Sequence, residues 1–230
     1  MNMNFQARTI LLLVAFGAIF SVIGCDSAQK TLQTTPPQIL VKKADHAMRY
    51  GRIEEAADYY SKVLANAPGN IYALTKYGEC MLKMGEPGKA AVAFETAVAS
   101  KPEDSNLVYL LARSEYENGQ YDRAFELLRA FALDNDDATA WTLLAEYSLQ
   151  LDDPDTASHA VQRAIELDGN STAGPYLTAA NLAERLGNDQ EALRRLRQAY
   201  GCEPTNAEVD RRLREYGEIP GPSLTLGADE

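Results

Sequence analysis

The chain repeats itself with a period of about 34 residues, and this regularity limits the fold more than any other feature. A turn residue recurs at one phase of the period, namely Gly51, Gly85, Gly119, Asp152 and Gly187. An alanine follows each turn residue at the same distance, namely Ala56, Ala90, Ala124, Ala157 and Ala192. Periodicity of this length predicts a stacked array of helix pairs, in which each unit packs only against its neighbours.

The second unit shows why each repeat should form two helices. Its first apolar stripe consists of Leu74, Tyr77, Gly78 and Met81, which fall on one face of a helix. Gly85 then ends the helix, because glycine accepts a positive φ without steric cost. Pro87 suits the first turn of the next helix, where its missing N–H would be unpaired in any case. Ala90 leaves room for two helix backbones to cross closely.

This order of residues resembles the tetratricopeptide repeat, which has a small residue in its first helix, glycine at the turn, Ala-x₃-aromatic in its second helix and proline at its end. The second unit carries most of that pattern, ending at Pro102. The resemblance implies an all-α fold, an α-solenoid of about five helix-turn-helix repeats with a C-terminal capping helix. The predicted segments are repeats at 37–70, 71–104, 105–137, 138–172 and 173–206, a capping helix at 207–217 and a disordered tail at 218–230.

Three positions depart from the family pattern. Lys43 stands where a core apolar residue is usual, so the first helix is expected to pack loosely. The third repeat ends on Asn135 and Asp136 instead of proline. Asp152 replaces the turn glycine, and we expect it to adopt the left-handed conformation, which aspartate tolerates better than most residues.

The amino terminus has the layout of an export signal. An uncharged apolar run at residues 10–23 follows Arg8, and it is shorter than the roughly 20 residues that a membrane-spanning helix needs. The run ends in Val22-Ile23-Gly24-Cys25, which resembles the lipobox of bacterial lipoproteins. That resemblance implies a signal peptide at 1–24, lipidation of Cys25 and a polar linker at 25–36. An uncleaved anchor helix and a buried core segment are the alternatives.

Composition and motifs point away from nucleic acid and from catalysis. The formal net charge is −11, whereas binding to phosphates requires clustered Lys and Arg. The two histidines, His46 and His159, are not spaced as a metal pair, and we found no catalytic set and no glycine-rich phosphate loop. We therefore expect no enzymatic activity, no cofactor and no metal.

The resemblance also implies that the first helices line a concave binding groove. The predicted partner-binding residues are Tyr72, Glu79, Tyr109, Arg113, Tyr116 and Glu146. Tyrosine and arginine are frequent hot spots of protein interfaces, although these tyrosines could instead pack between neighbouring repeats. In chaperone-binding relatives, a basic and amide set holds a peptide carboxylate. The matching positions here retain only Lys76 as a basic residue, so that clamp is not expected.

Seven arginines concentrate near the carboxyl end, between residues 185 and 214. They could dock an acidic partner, or they could form a solvated cap with Glu191, Glu208 and Glu215. We favour the cap.

These observations predict a lipid-anchored protein-interaction scaffold or assembly factor of the bacterial cell envelope, facing the periplasm or the exterior. Its partners would be another protein or peptide and, through the lipid anchor, a membrane, with no nucleic acid. The alternative is a transport or export accessory whose groove binds a small molecule or a polysaccharide. Sugar-binding grooves favour tryptophan, and the only tryptophan, Trp141, falls at a predicted core position, which weighs against that alternative.

Overall fold

The computed structural model describes residues 36–221 and residue 224, and these residues form eleven α-helices with no strand among them. The helices are α1 Pro37–Arg49, α2 Ile53–Asn66, α3 Ile71–Lys83, α4 Pro87–Ser100, α5 Ser105–Glu117, α6 Tyr121–Asn135, α7 Ala138–Gln150, α8 Pro154–Asp168, α9 Gly174–Arg185, α10 Asp189–Cys202 and α11 Ala207–Glu215. None of them combines the length and hydrophobicity that a membrane-spanning helix requires.

Several predictions fall outside the described residues. These are the signal peptide at 1–24, the lipidation of Cys25, almost all of the linker at 25–36, and residues 222, 223 and 225–230 of the tail.

Consecutive helices form hairpins around left-handed turns. Positive φ angles occur at each of the periodic turn residues, namely Gly51, Gly85, Gly119, Asp152 and Gly187. The left-handed conformation expected for Asp152 is confirmed, with φ of 61°. At the four turn glycines, an added Cβ would meet no atom within 4 Å, so these hairpin ends are open on their outer side.

Side-chain caps begin three first helices of the hairpins, α3, α5 and α7, and also α11. The capping residues Asn70, Asp104, Asp137 and Asn206 each accept a backbone N–H from the first turn of the helix that follows. Such caps satisfy backbone donors that have no partner inside the helix. The boundary between successive hairpins is therefore fixed by polar residues as well as by the apolar stripe.

Small buried residues set the crossing of the two helices in each hairpin. The periodic alanines Ala56, Ala90, Ala124, Ala157 and Ala192 have no exposed surface. In the second hairpin, a Cβ added at Gly78 would lie 2.5 Å from Cζ of Phe94, which is itself fully buried. Because a larger side chain has no space at these points, the repeated small residue determines how closely the helices approach.

The array ends in the predicted capping helix, α11. Val209 and Leu213 of this helix are fully buried against Tyr176 and Leu196 of the last hairpin. Leu224 also packs against this cluster. The outer face of α11 carries charged residues, so the cap closes the apolar end of the stack with a polar surface.

Candidate binding surface on the first helices

The first helices of the five hairpins (α1, α3, α5, α7 and α9) form what we call the first-helix surface. Two cavities lie on it between neighbouring first helices. The α1–α3 cavity has a volume of 530 Å³ and is lined by Lys42, Asp45, Met48, Arg49, Tyr60, Tyr72 and Lys76. The α7–α9 cavity has a volume of 340 Å³ and is lined by Glu146, Leu149, Gln150, Asn181 and Arg185. A different cavity, of 570 Å³, is lined by residues of α8, α9 and α10.

Two tyrosines meet one carboxylate in the α1–α3 cavity. The hydroxyl groups of Tyr60 and Tyr72 both donate to Oδ1 of Asp45, at 2.5 and 2.8 Å. Burial, together with the hydrogen bond to Asp45, raises the pKa of both phenols, so they stay protonated donors. Tyr60 is fully buried, whereas Tyr72 keeps 47% of its surface exposed. The predicted binding residue Tyr72 is therefore accessible, and its orientation is set by Asp45.

Tyr109 connects the third hairpin to the fourth. Its hydroxyl donates to Oδ1 of Asp137 at 2.7 Å, and Asp137 is the residue that caps α7. Its ring packs edge-on against Phe131, with 6.2 Å between the ring centroids. Burial is the main cause that raises the pKa of Tyr109, with the bond to Asp137 adding to it. Tyr109 thus has a structural role between repeats, and only part of the side chain faces the surface.

Tyr116 also packs between repeats, while Arg113 is exposed. The Tyr116 ring stacks on Tyr147, with centroids 4.2 Å apart and planes 15° apart. Tyr147 was not among the predicted residues, because the periodicity that assigns faces does not show which rings meet across a repeat boundary. Arg113 donates from Nε to Glu117 at 2.6 Å, and its guanidinium remains largely open to solvent.

The two predicted glutamates have different surroundings. Glu79 forms an ion pair with Lys76 at 2.9 Å on the same helix. Glu146 lies in the α7–α9 cavity, where Thr178 donates to its Oε1 at 3.3 Å. Burial raises the pKa of Glu146, and the Thr178 hydrogen bond opposes that change only in part. Glu146 lines the α7–α9 cavity and Glu79 lies on α3, so the two glutamates do not converge on one site.

The arginines near the carboxyl end are compensated by acidic groups. The ion pairs are Arg185–Asp152, Arg194–Glu191, Arg195–Glu191, Arg197–Glu218, Arg211–Glu208, Arg211–Glu215, Arg212–Glu184 and Arg214–Asp210. Arg185 additionally donates to the carbonyl oxygen of Leu149. Since every one of the seven arginines has an acidic partner, the structure favours the cap over an open basic docking surface.

The described residues contain no cluster of three or more His, Cys, Asp or Glu side chains that could hold a metal ion. Nη2 of Arg52 donates to Nδ1 of His46 at 3.0 Å, and the His159 ring packs edge-on against Trp141. Cys80 is fully buried, with its Sγ 3.3 Å from Sδ of Met48. Burial raises the pKa of the Cys80 thiol to about 11, so it remains protonated and serves as a core residue.

Two family models match parts of the chain. A tetratricopeptide repeat model matches residues 47–114, and a model described as anaphase-promoting complex, cyclosome, subunit 3 matches residues 88–164. No curated protein is a significant sequence match to the chain.

Solved structures with the same fold are numerous. The crystal structure of MamA is 20% identical, with a TM-score of 0.59 over 81% of this chain and 98% of that chain. PilW, described as a widely conserved type IV pilus biogenesis factor, is 18% identical, with a TM-score of 0.61 over 80% and 85%. A thermophilic TPR protein of Thermus thermophilus is 20% identical, with a TM-score of 0.56 over 78% and 97%. Sequence identities this low indicate a shared fold and do not indicate a shared function. Together with the family matches and the helix pairs, they establish that the chain folds as an α-solenoid of tetratricopeptide repeats.

Proposed function

We propose that this protein is a non-enzymatic, lipid-anchored scaffold of the bacterial cell envelope that binds a partner protein or peptide on its first-helix surface. One observation carries the proposal. The residues that stack the repeats are buried, whereas the first-helix surface keeps Tyr72 accessible in the α1–α3 cavity and Arg113 accessible on α5. Exposed tyrosine and arginine are enriched in protein interfaces, and a cavity beside the tyrosine offers a place for a partner side chain.

The remaining elements of the proposal rest on other evidence. Tetratricopeptide arrays generally bind proteins or peptides on their concave surface, which supports a scaffold over an enzyme. PilW, which shares this fold, is a type IV pilus biogenesis factor, and this likeness supports an assembly role at the envelope. The lipobox-like residues before Cys25 support the lipid anchor. The polysaccharide alternative gains no support, because Trp141 is only 3% exposed and packs against His159.

Photo-crosslinking tests the binding surface. A photoreactive residue placed at Tyr72 or at Arg113 in living cells should yield a covalent adduct with the partner, because both side chains are accessible on the first-helix surface. Val92 is the matched control, since it is 65% exposed but lies on the second helix α4. Adducts are detected as shifted bands and identified by mass spectrometry. An adduct that forms at Val92 but not at Tyr72 or Arg113 would place the partner on the opposite surface.

Metabolic labelling tests the anchor. Cells given an acyl-chain analogue should label the wild-type protein, and Cys25→Ser should abolish the label and release the protein from membranes. Two or more acyl chains are needed for stable anchoring, so loss of the modification should be decisive for membrane attachment. Cys202→Ser, in α10, is the control and should keep both label and membrane attachment. Membrane-bound, unlabelled wild-type protein would contradict lipidation and favour an uncleaved anchor helix.

A further inference from the structure

The α1–α3 cavity has an unusual charge for this protein. Its lining contains three cations, Lys42, Arg49 and Lys76, and one carboxylate, Asp45. The whole chain, by contrast, has a formal net charge of −11. A local excess of positive charge inside an acidic protein attracts anions at this place and repels them elsewhere.

Two of the three cations are uncompensated. Lys42 and Arg49 lie three residues before and four residues after Asp45 on α1, so each is spaced to pair with it. Instead, Oδ1 of Asp45 accepts the hydroxyl groups of Tyr60 and Tyr72. Neither Lys42 nor Arg49 forms an ion pair or a side-chain hydrogen bond with the described part of the chain. This contrasts with Arg113 and with the arginines of the capped end, each of which has an acidic partner.

We propose that the α1–α3 cavity binds an acidic segment of the partner protein, with Lys42 and Arg49 contacting its carboxylate side chains. This inference rests on the proposed function and specifies the chemistry of the partner. The two cations are seven residues apart, which is about 10 Å along a helix. Carboxylates two to three residues apart in an extended segment are about 7–10 Å apart, within reach of both flexible side chains. Lys76 is the weaker contact, because Glu79 already pairs with it.

The apolar contacts of the cavity refine the expected sequence of the segment. The exposed ring of Tyr72 and the thioether of Met48 line the same cavity as the two cations. In an extended peptide, successive side chains point to opposite faces, so the residue between two acidic residues would present its backbone to this ring. Acidic residues at alternate positions of the segment therefore fit the cavity, with their side chains on the face that meets Lys42 and Arg49.

The shape of the site favours a peptide over a lipid surface. The cations line a concave space of 530 Å³ between two helices, together with the Tyr72 ring. A flat layer of anionic headgroups cannot enter such a space, whereas one or two carboxylate side chains can. Anionic lipid is kept as a separate arm of the test.

The test uses the full chain in a neutral detergent and a fluorescent peptide, Asp-Leu-Asp-Leu-Asp, followed by fluorescence anisotropy. The matched peptide Asn-Leu-Asn-Leu-Asn has the same shape without charge. We expect the Asp peptide to bind at least tenfold more tightly than the Asn peptide. We also expect its affinity to fall as salt rises, because salt screens exposed charges.

Charge reversal locates the site. Lys42→Glu/Arg49→Glu should weaken binding of the Asp peptide at least tenfold. Lys42→Arg/Arg49→Lys, which keeps both positive charges, should bind it as tightly as the wild type. The control Lys101→Glu/Arg129→Glu changes an exposed lysine directly after the second helix α4 and an exposed arginine on the second helix α6. It alters the net charge equally and should leave affinity within about twofold of wild type. Circular dichroism confirms that each variant is folded.

Three results would overturn the inference: no binding of the Asp peptide at about 1 mM, equal binding of the Asp and Asn peptides, or unchanged binding after the reversal at Lys42 and Arg49. If the reversal instead removes binding to phosphatidylglycerol vesicles while peptide binding persists, the cations serve a lipid surface. The proposed function is judged separately. Crosslinks at Tyr72 or Arg113 that survive the reversal would keep the scaffold while rejecting acidic recognition, and loss of crosslinks in the wild type would reject the scaffold.

Discussion

Ala90→Arg is expected to unfold the second hairpin and to destabilise the whole array by at least about 4 kcal/mol. Ala90 has no exposed surface and lies where α3 and α4 cross. Overpacking alone costs about 1–3 kcal/mol, and a buried, unpaired guanidinium adds several more. For a chain of this size each kcal/mol lowers the melting temperature by about 2–4 °C, so we expect a fall of about 10 °C or more. Thermal unfolding followed by circular dichroism measures it.

Val92→Arg is the matched control on the same helix. Val92 is 65% exposed, so arginine at that position should change stability by no more than about 0.5 kcal/mol. A melting temperature of Ala90→Arg equal to that of the wild type would mean that residue 90 does not lie at a helix crossing. Equal losses in both variants would point to a general effect of added charge on α4.

Glu184→Ala should lower the free energy of unfolding by about 2–3 kcal/mol, although it removes a single, partly exposed carboxylate. Oε1 of Glu184 lies 2.8 Å from Nη2 of Arg212 and also accepts the Tyr216 hydroxyl at 3.1 Å. The Arg212 side chain is 7% exposed, and its Nη2 is held by the charge of Glu184 at close range without the alignment of a hydrogen bond. Loss of a partner from a buried ion pair costs about 3–5 kcal/mol, and the 38% exposure of Glu184 reduces that value.

A second substitution distinguishes two causes of the loss: the missing ion pair itself, and the cost of leaving the Arg212 charge buried without a partner. Arg212→Met in the Glu184→Ala background should recover most of the stability, because methionine can replace the buried stem without a charge. Glu208→Ala, which breaks an exposed pair with Arg211, should cost no more than about 0.5 kcal/mol. Urea unfolding gives the free energies of unfolding of the wild type, Glu184→Ala, the double variant and Glu208→Ala. If the double variant is less stable than Glu184→Ala, the buried charge is not the source of the loss.

The hairpins and their register could be predicted from the sequence because the constraints repeat. A small residue such as Ala90 and a turn residue such as Gly85 each have one structural meaning, and five copies in phase exclude a chance pattern. Even the exception was predictable, since Asp152 adopts the left-handed conformation expected of it. The capping residues carry a similar signal, because Asn70, Asp104 and Asp137 recur with the period of the repeat.

The candidate site was harder to predict, because its geometry depends on contacts between neighbouring repeats. Helix periodicity places Tyr109 on the first-helix surface, but it does not show that the hydroxyl binds the cap residue Asp137. Likewise, spacing alone would pair Asp45 with Lys42 or Arg49, whereas Tyr60 reaches it from α2 and Tyr72 from α3. Those choices follow from distances of a few ångströms between helices, which no single repeat encodes.

The open hairpin ends have a consequence for engineering the protein. At the turn glycines Gly51, Gly85, Gly119 and Gly187, an added Cβ would meet no atom within 4 Å, so side chains of inserted residues have open space there. Loop closure entropy grows slowly with length, and exposed turn tips are the positions where chains best accept insertions. An epitope or a small fluorescent domain inserted at one of these turns would report the location of the protein, while the helix crossings and the first-helix surface would keep their native residues.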